Sequence, residues 1–294
     1  MTYSIVARDP ATGAMGVAVQ SHAFSCGSIV TWGEAGVGVV ATQATVDVSY
    51  GPLGLEAMGA GQPATAALAA LLAVDSDADV RQVAFLDATG ATAVHTGGTC
   101  IPAAGHRARA DLSCQANMML RDTVPDAMVA AYDSADGDLA ERLVAALDAA
   151  EGERGDLRGR QSAALLVVGG AIARHAGDGR LLELRVEDHP EPLVELRRLL
   201  EVKRAYDRMD RASLDLSGDV VAASAEYQRA QEVLGGNVEP TFWHCVHLAS
   251  AGRLDQARAL LPRLEADTGE WVELLRRLPA AALLPAGVVE QLLS

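Results

Sequence analysis

Thr2-Tyr3-Ser4-Ile5-Val6-Ala7-Arg8, followed by Asp9-Pro10-Ala11-Thr12-Gly13 and then Gly16-Val17-Ala18-Val19-Gln20, is the stretch that decides the fold. Tyr3, Ile5 and Ala7 alternate with Ser4, Val6 and Arg8, the period-two pattern of a half-buried strand. Asp9-Pro10 and the later Gly13 supply turn chemistry: a side chain that bonds its own backbone, a fixed φ and a residue tolerant of positive φ. An apolar extended run resumes at Gly16, so the chain opens with a β-hairpin.

Working outward, Gly36 to Thr42 is apolar almost throughout and predicts a third strand covered on both faces. Residues 51–74 read as helical, with Gln62-Pro63 starting an alanine-rich second half. Val80–Leu86 and Ala91–His95 flank Asp87-Ala88-Thr89-Gly90 as a second hairpin, and Leu112–Met119 reads as a further strand. Amphipathic helices follow near 124–134 and 139–150. A glycine-rich, charged connection, Glu151–Arg160, leads into strands at Ser162–Val168 and Leu181–Val186. The expectation is a layered α+β domain over residues 1–190. After the break His189-Pro190-Glu191-Pro192 the period becomes helical, giving an all-α domain over 191–294. There Gly218, Ala223 and Ala225 recur as Gly252, Ala257 and Ala259, a spacing of 34 that matches the tetratricopeptide period. A simple antiparallel helical hairpin accounts for the same small residues.

A chain of 294 residues exceeds the usual span of one core. No apolar run approaches the ~20 residues that cross a bilayer, and the first residues lack the basic and apolar regions of a signal peptide. A cytoplasmic protein is expected, with no membrane partner. The net charge of −15 repels polyanions, which argues against nucleic acid. Cys26, Cys100, Cys114 and Cys245 are then expected as free thiols, too irregularly spaced for a zinc site. Lys203 is the only lysine, so no Gly-Lys-Ser/Thr phosphate loop exists. His22, His95 and His106 lack ligand spacing. No metal and no cofactor are expected. Cys26 is an alternative internal nucleophile, but nothing near it in sequence lowers a thiol pKa, and an inert buried thiol is the competing reading.

Thr2 carries the chemistry. Removal of Met1 would leave a threonine with both a hydroxyl and a free α-amine, which titrates near 7.7–8.0 and can accept the hydroxyl proton. Taken alone, a threonine at position two is commonplace. Its setting is less so. The hairpin resembles the opening of N-terminal-nucleophile (Ntn) hydrolases, in which the processed first residue begins a strand at the mouth of a sheet sandwich. More specifically, Ser4–Asp9, Gly38–Gln43, Ser49-Tyr50-Gly51-Pro52, Arg81-Gln82-Val83 and Arg158–Leu165 resemble an Ntn-hydrolase-like family, domain of unknown function 1028, over residues 2 to about 200. The resemblance implies a four-layer αββα sandwich. In the tail, Glu239–His244 and Trp271 resemble a helical module associated with peptidoglycan binding, although core packing explains Trp243 and Trp271 equally.

The resemblance has a gap. Proteasome-type hydrolases use an aspartate near the end of the second strand and a lysine beyond it. Here His22 occupies roughly the aspartate's place and no lysine is near, so only the α-amine remains as base. Asn117 and then Gln43 are the candidate oxyanion donors, because a carboxamide donates without titrating. Each equally fits a buried amide that caps a strand. His22, Arg160 and Gln161 are candidate substrate-binding groups, with an Arg160–Asp156 ion pair as the competing role. The expected function is hydrolysis of a small amide by a homo-oligomeric enzyme. The alternative is a catalytically silent sandwich whose helical tail captures a protein or cell-wall ligand.

Overall fold

The computed structural model describes residues 2–175, 177–215 and 219–294. The chain divides into two compact units, Met1–Arg197 and Arg198–Ser294; the helix Pro192–Asp215 runs through the boundary.

In the first unit the opening hairpin is β1 (Thr2–Arg8) and β2 (Met15–Ser21), antiparallel, with Thr2 opposite Ser21 and Arg8 opposite Met15. Its turn forms as the sequence suggests: the Asp9 carboxylate accepts from Ala11 N–H and the Thr12 hydroxyl, and Gly13 takes φ +74°. β1 lies inside a six-stranded antiparallel sheet ordered β10-β9-β2-β1-β8-β7. The other members are β7 (Gly105–Arg109), β8 (Leu112–Asn117), β9 (Ser162–Val168) and β10 (Arg180–Val186). A second antiparallel sheet runs β3 (Thr31–Glu34), β4 (Gly38–Ala44), β5 (Arg81–Asp87), β6 (Thr92–Thr96).

The half-buried reading of β1 is corrected here: Tyr3 to Ala7 are all buried. Tyr3 and its odd-numbered partners face helices, and Thr2, Ser4 and Val6 face the second sheet, so the polar residues in the alternation mark an interior polar cluster. Val6, Met15, Val17 and Val19 pack with Val39, Ala41, Ala84 and Leu86 between the sheets. On the far side of the second sheet lie α2 (Tyr50–Gly59) and α3 (Ala64–Leu72), preceded in the chain by the four-residue α1 (Gly27–Val30). The single helix expected over 51–74 is broken because Gly61 turns the chain at φ +90° and Pro63 has no N–H to donate. Leu55, Met58 and Leu68 seal against Val40, Val83 and Phe85. On the other face of the six-stranded sheet lie α4 (Val124–Ser134) and α5 (Leu139–Gly152), which bury Met128, Leu143 and Leu147. Asp138 and Glu141 form a reciprocal capping box at the start of α5, an arrangement worth about 1 kcal/mol.

The second unit is helical. After the long helix α6 (Pro192–Asp215) come α7 (Val220–Leu234), α8 (Glu239–Ser250), α9 (Leu254–Arg258), α10 (Leu261–Asp267), α11 (Glu270–Arg277) and α12 (Ala286–Leu293). Phe242 sits at the centre, with Trp243 edge-on at 5.1 Å and Trp271 at 5.3 Å between ring centroids; both tryptophans pack against the core. Of the small residues spaced by 34, Ala223 and Ala257 are buried, whereas Ala259 is exposed; Gly218 lies outside the described residues. Ala223 and Ala225 fall in a helix of 15 residues, whereas Ala257 falls in one of five that ends before Ala259. No helix among the described residues is long and apolar enough to cross a membrane.

Candidate functional site

Two rows of polar residues meet at one end of the space between the sheets. The strand registers place Ser162, Ser21, Thr2 and Asn117 side by side across β9, β2, β1 and β8. Gln43, Gln82 and Thr96 form the matching row across β4, β5 and β6. All these side chains fall on the strand faces that carry the inter-sheet core further in, because side chains two residues apart share a face.

Thr2 is 5% exposed, and its Oγ1 lies 3.1 Å from Ser21 Oγ. Its backbone carbonyl accepts from Asn117 Nδ2 and Gln43 Nε2, both at 3.3 Å. The same two amide nitrogens donate to Gln82 Oε1, at 3.0 Å from Asn117 and 2.7 Å from Gln43. Gln82 Nε2 in turn donates to Thr96 Oγ1 and to the carbonyls of Gly105 and Ala116. Ser4 continues the cluster inward, donating to Gln43 Oε1 and accepting from Gln115, both at 2.6 Å. A carboxamide has two hydrogens to give, and those of Asn117 and Gln43 already point at protein oxygens. In this arrangement they fix the Thr2 main chain. Gln82 was not among the candidate site residues; in sequence it stands only within the Arg81-Gln82-Val83 segment of the resemblance, as a carboxamide inside an otherwise apolar strand.

The other sequence candidates sit on the loops beside this end. His22 donates its backbone N–H to Asp156 Oδ2 at 3.1 Å, and its ring Nδ1 is 3.4 Å from the Arg160 carbonyl. Asp156 is buried and is held by Arg158, through its N–H at 2.9 Å and its guanidinium at 3.2 Å. Arg160 therefore pairs with Glu151, at 3.5 Å, and Glu191 instead. Gln161 bonds Ser21 O through its N–H and Asp188 through its side chain, which ties the loop to the β2 end. Tyr3 donates to Glu151; burial first, and then the Glu151 carboxylate beside it, raise this phenol well above its ordinary pKa, so it stays a donor.

His95 and His106 are engaged elsewhere, with the Ala78 carbonyl and the Thr96 hydroxyl respectively. Among the described residues no cluster of His, Cys, Asp or Glu is suited to hold a metal ion. All four cysteines are buried free thiols; burial pushes Cys26 up to about 12, which keeps it un-ionised.

The fold and site define a class: an α+β protein with two antiparallel sheets and a threonine at the first position of an interior strand, at the polar end of the inter-sheet space. The chain belongs to the family of unknown function DUF1028, whose sequence profile matches residues 2–196. A crystal structure of the DUF1028 protein SPO2555 from Silicibacter pomeroyi is similar: 32% identical, covering 68% of this chain and 88% of that one, with a TM-score of 0.61. No curated protein matches the chain.

Proposed function

We propose that the first unit is a four-layer αββα sandwich of the Ntn-hydrolase kind that hydrolyses a small amide, with Thr2 as nucleophile once Met1 is removed. The observation that carries this reading is the position of Thr2, in the register row of Ser21 and Asn117 with its hydroxyl 3.1 Å from that of Ser21. The freed α-amine would take the Oγ1 proton, directly or through a water, as Oγ1 attacks the amide carbon. The amine leaving group would depart with that proton, leaving an acyl ester on Thr2, and water would then cleave the ester to release the acid. Asn117 and Gln43 hold the Thr2 carbonyl, a positioning role, and backbone N–H groups near the strand tip would serve the oxyanion. His22, Arg160 and Gln161 would contact the substrate from the adjoining loops. No metal or cofactor enters this scheme. A cytoplasmic homo-oligomer fits it.

The test combines intact mass with an electrophilic β-lactone probe. The mass should show loss of Met1, the probe should attach to Thr2, and Thr2→Ala should abolish labelling. Labelled or hydrolytically active protein that retains Met1 would overturn the mechanism. A second reading is favoured by the burial of Thr2: a silent sandwich whose TPR-like tail binds a protein or cell-wall ligand. Under that reading no probe labels Thr2 in the trimmed protein.

A further inference from the structure

A cavity of about 430 Å³ opens beside the loop that follows α5. It is lined by Leu120, Glu151, Arg154 and the segment Asp156–Arg160. Arg154, Arg158 and Arg160 line it together with Glu151 and Asp156, in a chain of net charge −15. Asp156, with no side-chain exposure, pairs with Arg158 at 3.2 Å. Glu151 accepts from Tyr3 and lies 3.5 Å from Arg160, which Glu191 also neutralises. Arg154 has no carboxylate partner among the described residues. The same cavity has an apolar side: Leu120 and Leu157 line it and are 42% and 55% exposed.

We infer that this cavity binds a small monocarboxylate that carries an apolar portion, its carboxylate on Arg154 with Arg158 beside it and its apolar part on Leu120 and Leu157. A guanidinium matches a planar carboxylate with two parallel N–H bonds. Arg158 and Arg160 are each paired with carboxylates, so Arg154 supplies one positive charge for a monoanion, whereas a dianionic phosphate would leave a negative charge facing Glu151 and Asp156. Two features keep Arg158 ready for a ligand. Its backbone N–H and guanidinium are both fixed by the buried Asp156, and its side chain remains 38% exposed. Less ordering entropy is then lost on binding. This assignment holds whether or not Thr2 is a nucleophile.

The experiment is calorimetric titration of the full chain at low ionic strength with hexanoate, acetate and inorganic phosphate. Hexanoate should bind saturably at one site, several-fold tighter than acetate, because its extra methylenes leave water. Arg154→Gln should weaken hexanoate about tenfold, the usual scale for one charge-assisted contact. Glutamine places the same demand on the positive φ of residue 154, so this variant leaves the loop in place, and an unchanged melting temperature checks that it has. Arg277→Gln, in the second unit, should bind as the unaltered protein does. Absence of saturable hexanoate binding, tighter binding of phosphate than of hexanoate, or affinity untouched by Arg154→Gln would each overturn the assignment.

Discussion

Thr2 and Ser21 are register partners at the open end of the β1–β2 hairpin, and their hydroxyl oxygens lie 3.1 Å apart between the two sheets. The contact joins the first residue of one interior strand to the last residue of its neighbour. Main-chain pairing on both sides therefore fixes the face on which the Thr2 side chain lies, and the Ser21 hydroxyl is one partner that orients its Oγ1.

If Thr2 is the nucleophile, Ser21→Ala removes one partner that orients its hydroxyl. Labelling of trimmed protein by a β-lactone should slow by about tenfold or more, the scale of a lost proton-handling contact. Stability should change by only about 1 kcal/mol. Time-resolved intact-mass measurement reads the rate, and an unchanged rate would remove Ser21 from the reaction.

Gln82 tests the polar cluster as a structural unit. Its Oε1 receives both Asn117 and Gln43, and its Nε2 serves Thr96 Oγ1 and two backbone carbonyls. Gln82→Leu strands several buried donors and acceptors at once, each with a desolvation cost of about 1–3 kcal/mol. A loss of roughly 3 kcal/mol is expected, and with it a melting temperature lower by about 6–12 °C for a unit of this size. A fall under 2 °C would show that the amides of Asn117 and Gln43 have other acceptors.

How much of this was legible in the sequence depends on what fixed each element. The hairpin was, because alternation and turn chemistry are local. Short β3 was not: Thr31-Trp32-Gly33-Glu34 has no periodicity of its own, and β4 pairs with it while Gly33 lies close against Leu166 and Val168. β7, Gly105-His106-Arg107-Ala108-Arg109, reads as a polar loop and is an edge strand paired only with β8 in its sheet. Thr2, Asn117 and Gln43 were singled out and do converge. The occupation of both carboxamides was invisible, because Gln82, their shared acceptor, is the register partner of Gln43 on β5 and faces Asn117 from across the two sheets. The Arg158–Asp156 pairing that diverts Arg160 to Glu151 and Glu191 is likewise a matter of loop geometry.

Two glycines should respond oppositely to alanine. A Cβ on Gly51 would stand 2.3 Å from the Trp32 indole, a rigid ring in a packed core. Gly51→Ala should cost about 1–3 kcal/mol through overpacking, despite a helix-propensity gain of up to about 1 kcal/mol. Gly287, exposed in α12 with nothing within 4 Å of a built Cβ, should gain a few tenths to about 1 kcal/mol as alanine. Urea midpoints of the two variants check the contrast; a neutral Gly51→Ala would show that Trp32 can move.

The second unit should lose stability on mild acidification. Burial lowers His244 to about 4, with the nearby His247 adding to it, and burial lowers His247 as well. His244 stacks on Tyr227 at 5.0 Å between ring centroids and bonds Ser224, and the Tyr227 hydroxyl lies 2.5 Å from His247 Nδ1. Because the folded pKa values lie below the unfolded value of about 6.5, the unfolded chain binds more protons as pH falls. Stability present above about pH 6.5 is then lost as pH drops toward 4, by up to about 1.4 kcal/mol per pH unit for each histidine. Unfolding followed at pH 7, 6 and 5 should show this slope, and His244→Phe, which keeps the stacked ring, should flatten it. An unaltered slope in that variant would place the proton uptake elsewhere.

Asp156 offers a local test that separates loop order from global stability. Its two oxygens accept the N–H groups of His22 and Arg158, and the Arg158 guanidinium closes the third side. In Asp156→Asn one oxygen becomes an NH2 group, which must face one of those N–H donors, and the ion pair loses its charge. The buried mismatch should cost about 2–3 kcal/mol. It is confined to a loop whose other ties, Gln161 N–H to Ser21 O and Leu120 N–H to Gly155 O, stay intact. The amides of His22 and Arg158 should therefore exchange with solvent faster by an order of magnitude or more, while amides in the middle of β1 and β2 keep their protection relative to the global value. Uniform acceleration across both strands would instead mean that Asp156 supports the whole first unit and that the loop beside Thr2 has no independent order to lose.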